Sequence, residues 1–136
     1  MKAKTKKEKE FCRTILYHAT IWGYTQTVAL LLDLGADIAA RDELKRTPLH
    51  TAASCGHAET AALLLDRGAD IAARDYDNRT PLHLAARKGN TKTVAILLKN
   101  GADIEARDKF NWTPLQIASN RDYPKTVALL RKRGAR

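Results

Sequence analysis

Histidine is the side chain best suited to bind a metal or act as a general base near neutral pH, and His50 and His83 recur 33 residues apart in the same local context. A tetrahedral metal site needs several convergent ligands, and neither histidine has further ligands beside it in such a set. A structural role for both rings is therefore expected, with no metal or cofactor. His18 and His57 are single and carry no ligand pattern. Ser54, Cys55 and His57 are close in sequence, but neighbours at a predicted helix end and turn seldom meet in nucleophile–base geometry. No orienting carboxylate or oxyanion donor accompanies them. Glycine-rich phosphate loops, GxGxxG and HExxH are all missing from the 136 residues. These residue types point away from catalysis, and no catalytic residue is assigned.

Charge offers a second chemistry. The formal net charge is +9, yet residues 1–13 contribute +4, residues 121–136 contribute +5, and the body between them holds 12 basic and 12 acidic residues. Lys2, Lys4, Lys6, Lys7 and Lys9, with Arg131, Lys132 and Arg133, fit either a polyanion or nuclear-localisation patch or a pair of solubilising caps. Cations in a last helical turn suit its C-terminal dipole, which favours the caps. Nucleic acid is accordingly the disfavoured partner. Cys12 and Cys55 match no ligand or disulfide spacing and read as free thiols. Without a signal-type apolar region or a span of about 20 apolar residues, the expected setting is intracellular, cytoplasmic or nuclear, for a monomer.

The elements that must carry these side chains follow from an internal repeat. Arg46-Thr47-Pro48-Leu49-His50 returns as Arg79-Thr80-Pro81-Leu82-His83, as Trp112-Thr113-Pro114-Leu115-Gln116, and more faintly as Arg13-Thr14-Ile15-Leu16-Tyr17. Gly-Ala-Asp-Ile recurs at 35, 68 and 101 with the same period, and residues 46–78 and 79–111 share 20 identities in 33. Thr followed by Pro starts a helix: the hydroxyl accepts an orphan amide, and Pro sits where no N–H is missed. A short first helix through Leu49, Ala52 and Ala53 ends at Gly56. A second, with Ala61, Leu64 and Leu65 at helical spacing, ends before Gly68, and an extended finger then turns around Tyr76, Asp77 and Asn78. Such a unit cannot bury its own apolar face, so stacking must supply the core. One domain over 1–136 is expected, with a basic lead at 1–12 and repeats near 13–45, 46–78, 79–111 and 112–136. Ile15 in place of Pro and Arg131 in place of Leu mark the outer repeats as caps.

The pattern Thr-Pro-Leu-His-x-Ala-Ala, Gly, and then Leu-Leu-x-x-Gly-Ala-Asp-Ile resembles the ankyrin repeat over residues 13–136. The resemblance implies an all-α repeat solenoid of stacked helix pairs with protruding β-hairpin fingers, a concave binding face and service as a protein-binding scaffold. It also implies that the rings of His50 and His83 brace the adjacent finger through backbone hydrogen bonds. Three features depart from the family pattern. Ala39, Ala72 and Glu105 replace the asparagine usual after Gly-Ala-Asp-Ile; Lys45, Asn78 and Asn111 replace a finger glycine; and Asp122 and Pro124 alter the last inter-helix turn. Lys tolerates a left-handed backbone less well than Asn, so strain is expected in the first finger.

Positions that the repeat leaves free should face the groove without holding the fold together. The expected partner-binding set is Trp22, Leu44, Arg46, Tyr76, Arg79, Arg87, Lys88, Phe110, Trp112 and Arg121. Exposed aromatics beside arginine are the stuff of interface hot spots. The expected partner is a protein with an acidic segment. The alternatives are a polyanion binder working through the termini, and an engineered, consensus-like scaffold with no natural ligand.

Overall fold

The computed structural model describes residues 5–136, and Lys2 and Lys4 of the basic lead lie outside them. Among the described residues are eight helices and no strand: α1 (Lys6–Trp22), α2 (Thr25–Asp33), α3 (Pro48–Cys55), α4 (Ala58–Asp66), α5 (Pro81–Arg87), α6 (Thr91–Lys99), α7 (Pro114–Asn120) and α8 (Pro124–Lys132). Each odd-numbered helix pairs with the even one that follows. The inner helices α1, α3, α5 and α7 stack in sequence, as do the outer helices α2, α4, α6 and α8. The architecture is an all-α repeat solenoid.

The local rules act as the sequence suggests. Thr47, Thr80 and Thr113 cap α3, α5 and α7, their side chains accepting the amides of His50, His83 and Gln116, and each helix has Pro in its first turn. Leu49, Leu82, Ala52, Ala53, Ala85 and Ala86 are buried along the inner helices, while Leu64, Leu97 and Leu130 close the layer from the outer ones. Alanine at paired inner positions lets successive helices come close enough to exclude water. Each fully buried leucine then contributes about 2 kcal/mol of apolar burial.

The charged lead extends the first helix: Thr5 and Glu8 form a capping box, and α1 runs unbroken for 17 residues. The fingers have a hairpin outline without strands. Asp42, Asp75 and Asp108 each close a finger with two backbone bonds: their amides donate to the carbonyls of Arg46, Arg79 and Trp112 at 3.0 Å, and their carbonyls accept from Lys45, Asn78 and Asn111 at 2.9 Å. The aspartate Oδ1 atoms take two further amides at 2.9 Å, such as Asp77 and Arg79 onto Asp75. A carboxylate thus does the work that a strand ladder does elsewhere.

The left-handed expectation holds at the finger tips, with φ of 60° at Lys45, 58° at Asn78 and 66° at Asn111. Lysine bears the greater cost there, since no short polar side chain compensates its backbone. Lys45→Gly is expected to stabilise the protein by about 1 kcal/mol in a urea titration, and Asn78→Gly by clearly less. A second local defect lies between the outer helices. Thr25 and Thr60 share a hydroxyl hydrogen bond of 2.8 Å, and Thr91 and Thr126 repeat it at 2.8 Å. The middle pair in that register is Ala58 and Thr93, and the buried Thr93 Oγ1 has no partner. Ala58→Thr supplies the missing hydroxyl and should raise stability by about 1 kcal/mol; no gain in Thr93→Val carrying the same change would confirm that the bond is the cause.

Candidate functional site

The concave face is framed by a chain of hydrogen bonds from one finger to the next. Tyr76 N–H donates to Leu44 O and Lys109 N–H to Asp77 O, both at 2.9 Å. Arg41 Nη1 reaches Lys45 O at 2.7 Å and Arg74 O at 2.6 Å, and Arg74 repeats this toward Asn78 O and Arg107 O at 2.9 and 2.8 Å. From behind, His50 Nε2 bonds to Arg79 O at 2.8 Å and His83 Nε2 to Trp112 O at 2.9 Å. Both rings are fully buried, and burial is the foremost cause that pushes each imidazole below its ordinary range. They are braces. Among the described residues no group of His, Cys, Asp or Glu could hold a metal ion.

Arg46 and Arg79 belong to this frame, contrary to the expectation that groove side chains carry no structural load. Arg46 Nε lies 3.4 Å from Asp75 Oδ2, and Arg79 Nε lies 3.2 Å from Asp108 Oδ2, with Arg79 Nη1 also 3.7 Å from Asp77. Asp108 is held below the usual carboxylate range. Its own desolvation opposes this, but the amides of Trp112 and Phe110 and the Arg79 guanidinium prevail. Each arginine therefore locks its finger to the next finger's carboxylate, a repeat-to-repeat link that uses its charge locally.

Arg87, Lys88 and Arg121 are different. Among the described residues none of them has an ion pair. Arg87 is half-buried, and desolvation, followed by the charges of Arg79, Arg121 and Arg46, lowers its affinity for its proton. A recess of about 320 Å³ brings Arg87 and Arg121 together with Phe110, Trp112, Ile117 and Asn120, beside the Arg79–Asp108 pair. Tyr76 and Phe110 flank Lys109, whose ammonium stands 5.5 and 5.7 Å from their ring centres. Five of the ten residues expected in the groove thus line one recess: Arg79, Arg87, Phe110, Trp112 and Arg121. Tyr76 and Lys88 lie beyond its wall, Leu44 and Arg46 belong to the opposite half of the face, and Trp22 is exposed at the end of α1 and lines neither half.

That half contains a feature the sequence reading missed. Arg13, Tyr17 and Thr51 join Leu44 and Arg46 around a larger recess of about 620 Å³. It exists because α1 continues as helix where the other repeats have a finger, so among the described residues no finger flanks that at 41–46 on that side. The signal was present in Ile15 replacing Pro, which removes the helix start that would have forced a finger before it. Its lining sets Asp42 and Glu43 beside Arg13 and Arg41, while Arg46 is committed to Asp75. The basic clusters at the termini do not converge on the groove: Lys6, Lys7 and Lys9 lie along exposed α1, and Arg131, Lys132 and Arg133 at the far end of the stack.

The stacked helix pairs and the histidines that brace their fingers define a helical-repeat scaffold. Family models described as ankyrin repeats (3 copies) and ankyrin repeats (many copies) match residues 2–75 and 64–118. The chain belongs to the ankyrin-repeat family. No curated protein matches it at a significant level. Ankyrin repeats are generally protein–protein interaction modules and typically non-catalytic scaffolds, and no described helix is long and apolar enough to cross a membrane.

Proposed function

We propose that this chain is a non-catalytic interaction module that holds an acidic protein segment along its concave face. The observation that carries this reading is the recess where Arg87 and Arg121, neither in an ion pair among the described residues, face Phe110 and Trp112. Unpaired guanidinium groups set against aromatic walls offer a partner both charge-assisted hydrogen bonds and desolvated area. Lys88 and Lys109 extend the positive field along the groove and speed encounter with an acidic chain. Tyr76 and Phe110, 64% and 58% exposed, serve as anchors.

The test compares two sets of variants in a capture experiment. Phe110→Ala with Trp112→Ala is expected to weaken partner binding by about 2 kcal/mol, roughly 30-fold, and Arg87→Gln with Arg121→Gln by a similar factor. Deletion of residues 1–9 and neutralisation of Arg131, Lys132 and Arg133 should leave it within about twofold. If only the terminal changes matter and the captured material is nucleic acid, lost steeply as salt rises, the groove reading fails.

A further inference from the structure

The geometry points to the recess between Arg87, Arg121, Phe110 and Trp112 as a seat for a phosphorylated side chain, with an aryl phosphate as the best fit, carried by the segment that lies in the groove. This inference rests on the groove reading above and adds the chemical group recognised. Size sets the first limit. At about 320 Å³ the recess is at the bottom of the range for small-molecule sites, which suits one inserted side chain better than a cofactor-sized ligand.

Charge sets the second. Arg79 is neutralised by Asp108 and Asp77, and the Asp108 oxygens are already occupied by two backbone amides and the Arg79 Nε. Arg87 and Arg121 remain. The C-terminal dipoles of α5 and α7 offset them only in part, by about half a charge each. A single carboxylate would satisfy one guanidinium; a phosphate monoester, with a charge of about −1.5 to −2 and three acceptor oxygens, satisfies both in forked geometry. The larger recess near Arg13 makes a useful contrast, because Asp42 and Glu43 in its lining remove any comparable preference.

The walls set the third. Phe110 and Trp112 are 58% and 37% exposed, whereas Ile117 is buried beneath them. An aromatic ring entering between these faces gains stacking area with its phosphoryl group directed at the arginines, and Asn120 adds an amide donor at the rim.

The experiment is an NMR titration of the full chain in about 0.15 M salt, with phenyl phosphate, benzoate, inorganic phosphate, an oligoglutamate peptide and a short single-stranded oligonucleotide as probes. Phenyl phosphate is expected to shift the Trp112 indole resonance and to bind about tenfold more tightly than either benzoate or inorganic phosphate. Arg87→Gln and Arg121→Gln should each weaken it about tenfold while leaving the thermal midpoint unchanged, and Arg87→Lys should recover only part of the loss. Benzoate binding as tightly as phenyl phosphate, or phenyl phosphate binding indifferent to both arginines, overturns the inference. Tighter Arg87-dependent binding of the oligonucleotide overturns it in favour of nucleic acid. Oligoglutamate that binds through Arg87 while phenyl phosphate does not leaves the acidic-segment reading standing and removes the phosphoryl group alone; if neither binds, both fall.

Discussion

Gly89→Ala is expected to destabilise the protein by about 3 kcal/mol, against about 1 kcal/mol for Gly101→Ala, although both glycines have positive φ, at 68° and 92°. The backbone cost is shared, because an L side chain in the left-handed region loses about 1 to 2 kcal/mol wherever it occurs. The difference comes from the neighbouring repeat. A Cβ on Gly89 would stand 2.6 Å from Cδ1 and 2.8 Å from Cγ of Tyr123, the rigid body of the ring, whereas nothing lies within 4 Å of one on Gly101. Tyr123 must turn its ring out of the contact or shift the fourth repeat against the third. The measurement is a pair of urea titrations, repeated in a Tyr123→Ala background, where Gly89→Ala should fall to the bare backbone cost. An equal loss for Gly89→Ala in both backgrounds would show that stacking contributes nothing to the glycine requirement.

The same register explains several unrelated-looking residues. His57 packs on Gly23 with its Nε2 2.7 Å from Ile21 O, and Asn90 packs on Gly56 with its Nδ2 donating to Ala53 O at 2.9 Å and Ser54 O at 3.3 Å. Tyr123 takes that place over Gly89. Three chemically different side chains thus perform one task, closing the C-terminal end of the previous inner helix. Asp122 stands in the glycine register of the fourth repeat with φ 60°. The task requires a glycine below more strictly than any one residue above.

This is why the fold was legible in the sequence and half of the site was not. Thr-Pro starts, glycine stops and paired alanines are local rules that repeat every 33 residues, so each copy corroborates the others. The groove is read from what varies between copies, and variation alone does not say which side chains are free. Arg46 and Arg79 looked like groove residues because they flank the finger, yet each spans 29 residues to a carboxylate of the next finger, a distance invisible to local pattern. Arg87, Phe110, Trp112 and Arg121 vary between the copies, but that they surround one recess follows only from stacking. The recess near Arg13 escaped notice for the opposite reason: it arises from a missing finger, and a gap leaves no motif.

Lowering the pH below about 6.5 is expected to weaken the protein steeply, through His50 and His83 together. Each Nε2 faces a backbone carbonyl, which can only accept, so Nε2 carries the hydrogen and Nδ1 is left as acceptor for the amide of Thr47 or Thr80, at 3.2 and 3.1 Å. Burial already depresses both values, and a second proton on Nδ1 would also turn it against the amide it now accepts, with only the Oγ1 of Thr47 or Thr80, 2.9 Å away, left to take the new N–H. The unfolded chain binds protons near 6.5 while the folded one does not. Stability is therefore complete above that value and falls as pH drops beneath it, with a slope approaching about 1.4 kcal/mol per pH unit for each histidine. Asp108, whose value is depressed, adds a separate loss only below the ordinary carboxylate range. The fourth repeat supplies the control, since Gln116 Oε1 accepts the Thr113 amide at 2.9 Å with nothing to titrate. His50→Gln with His83→Gln should cost about 2 kcal/mol at pH 7.5, from the two lost bonds to Arg79 O and Trp112 O, and should flatten the urea midpoint between pH 7 and 5. A slope that survives both substitutions would place the proton elsewhere, and would mean that the buried rings brace the fingers without making the stack sensitive to acid.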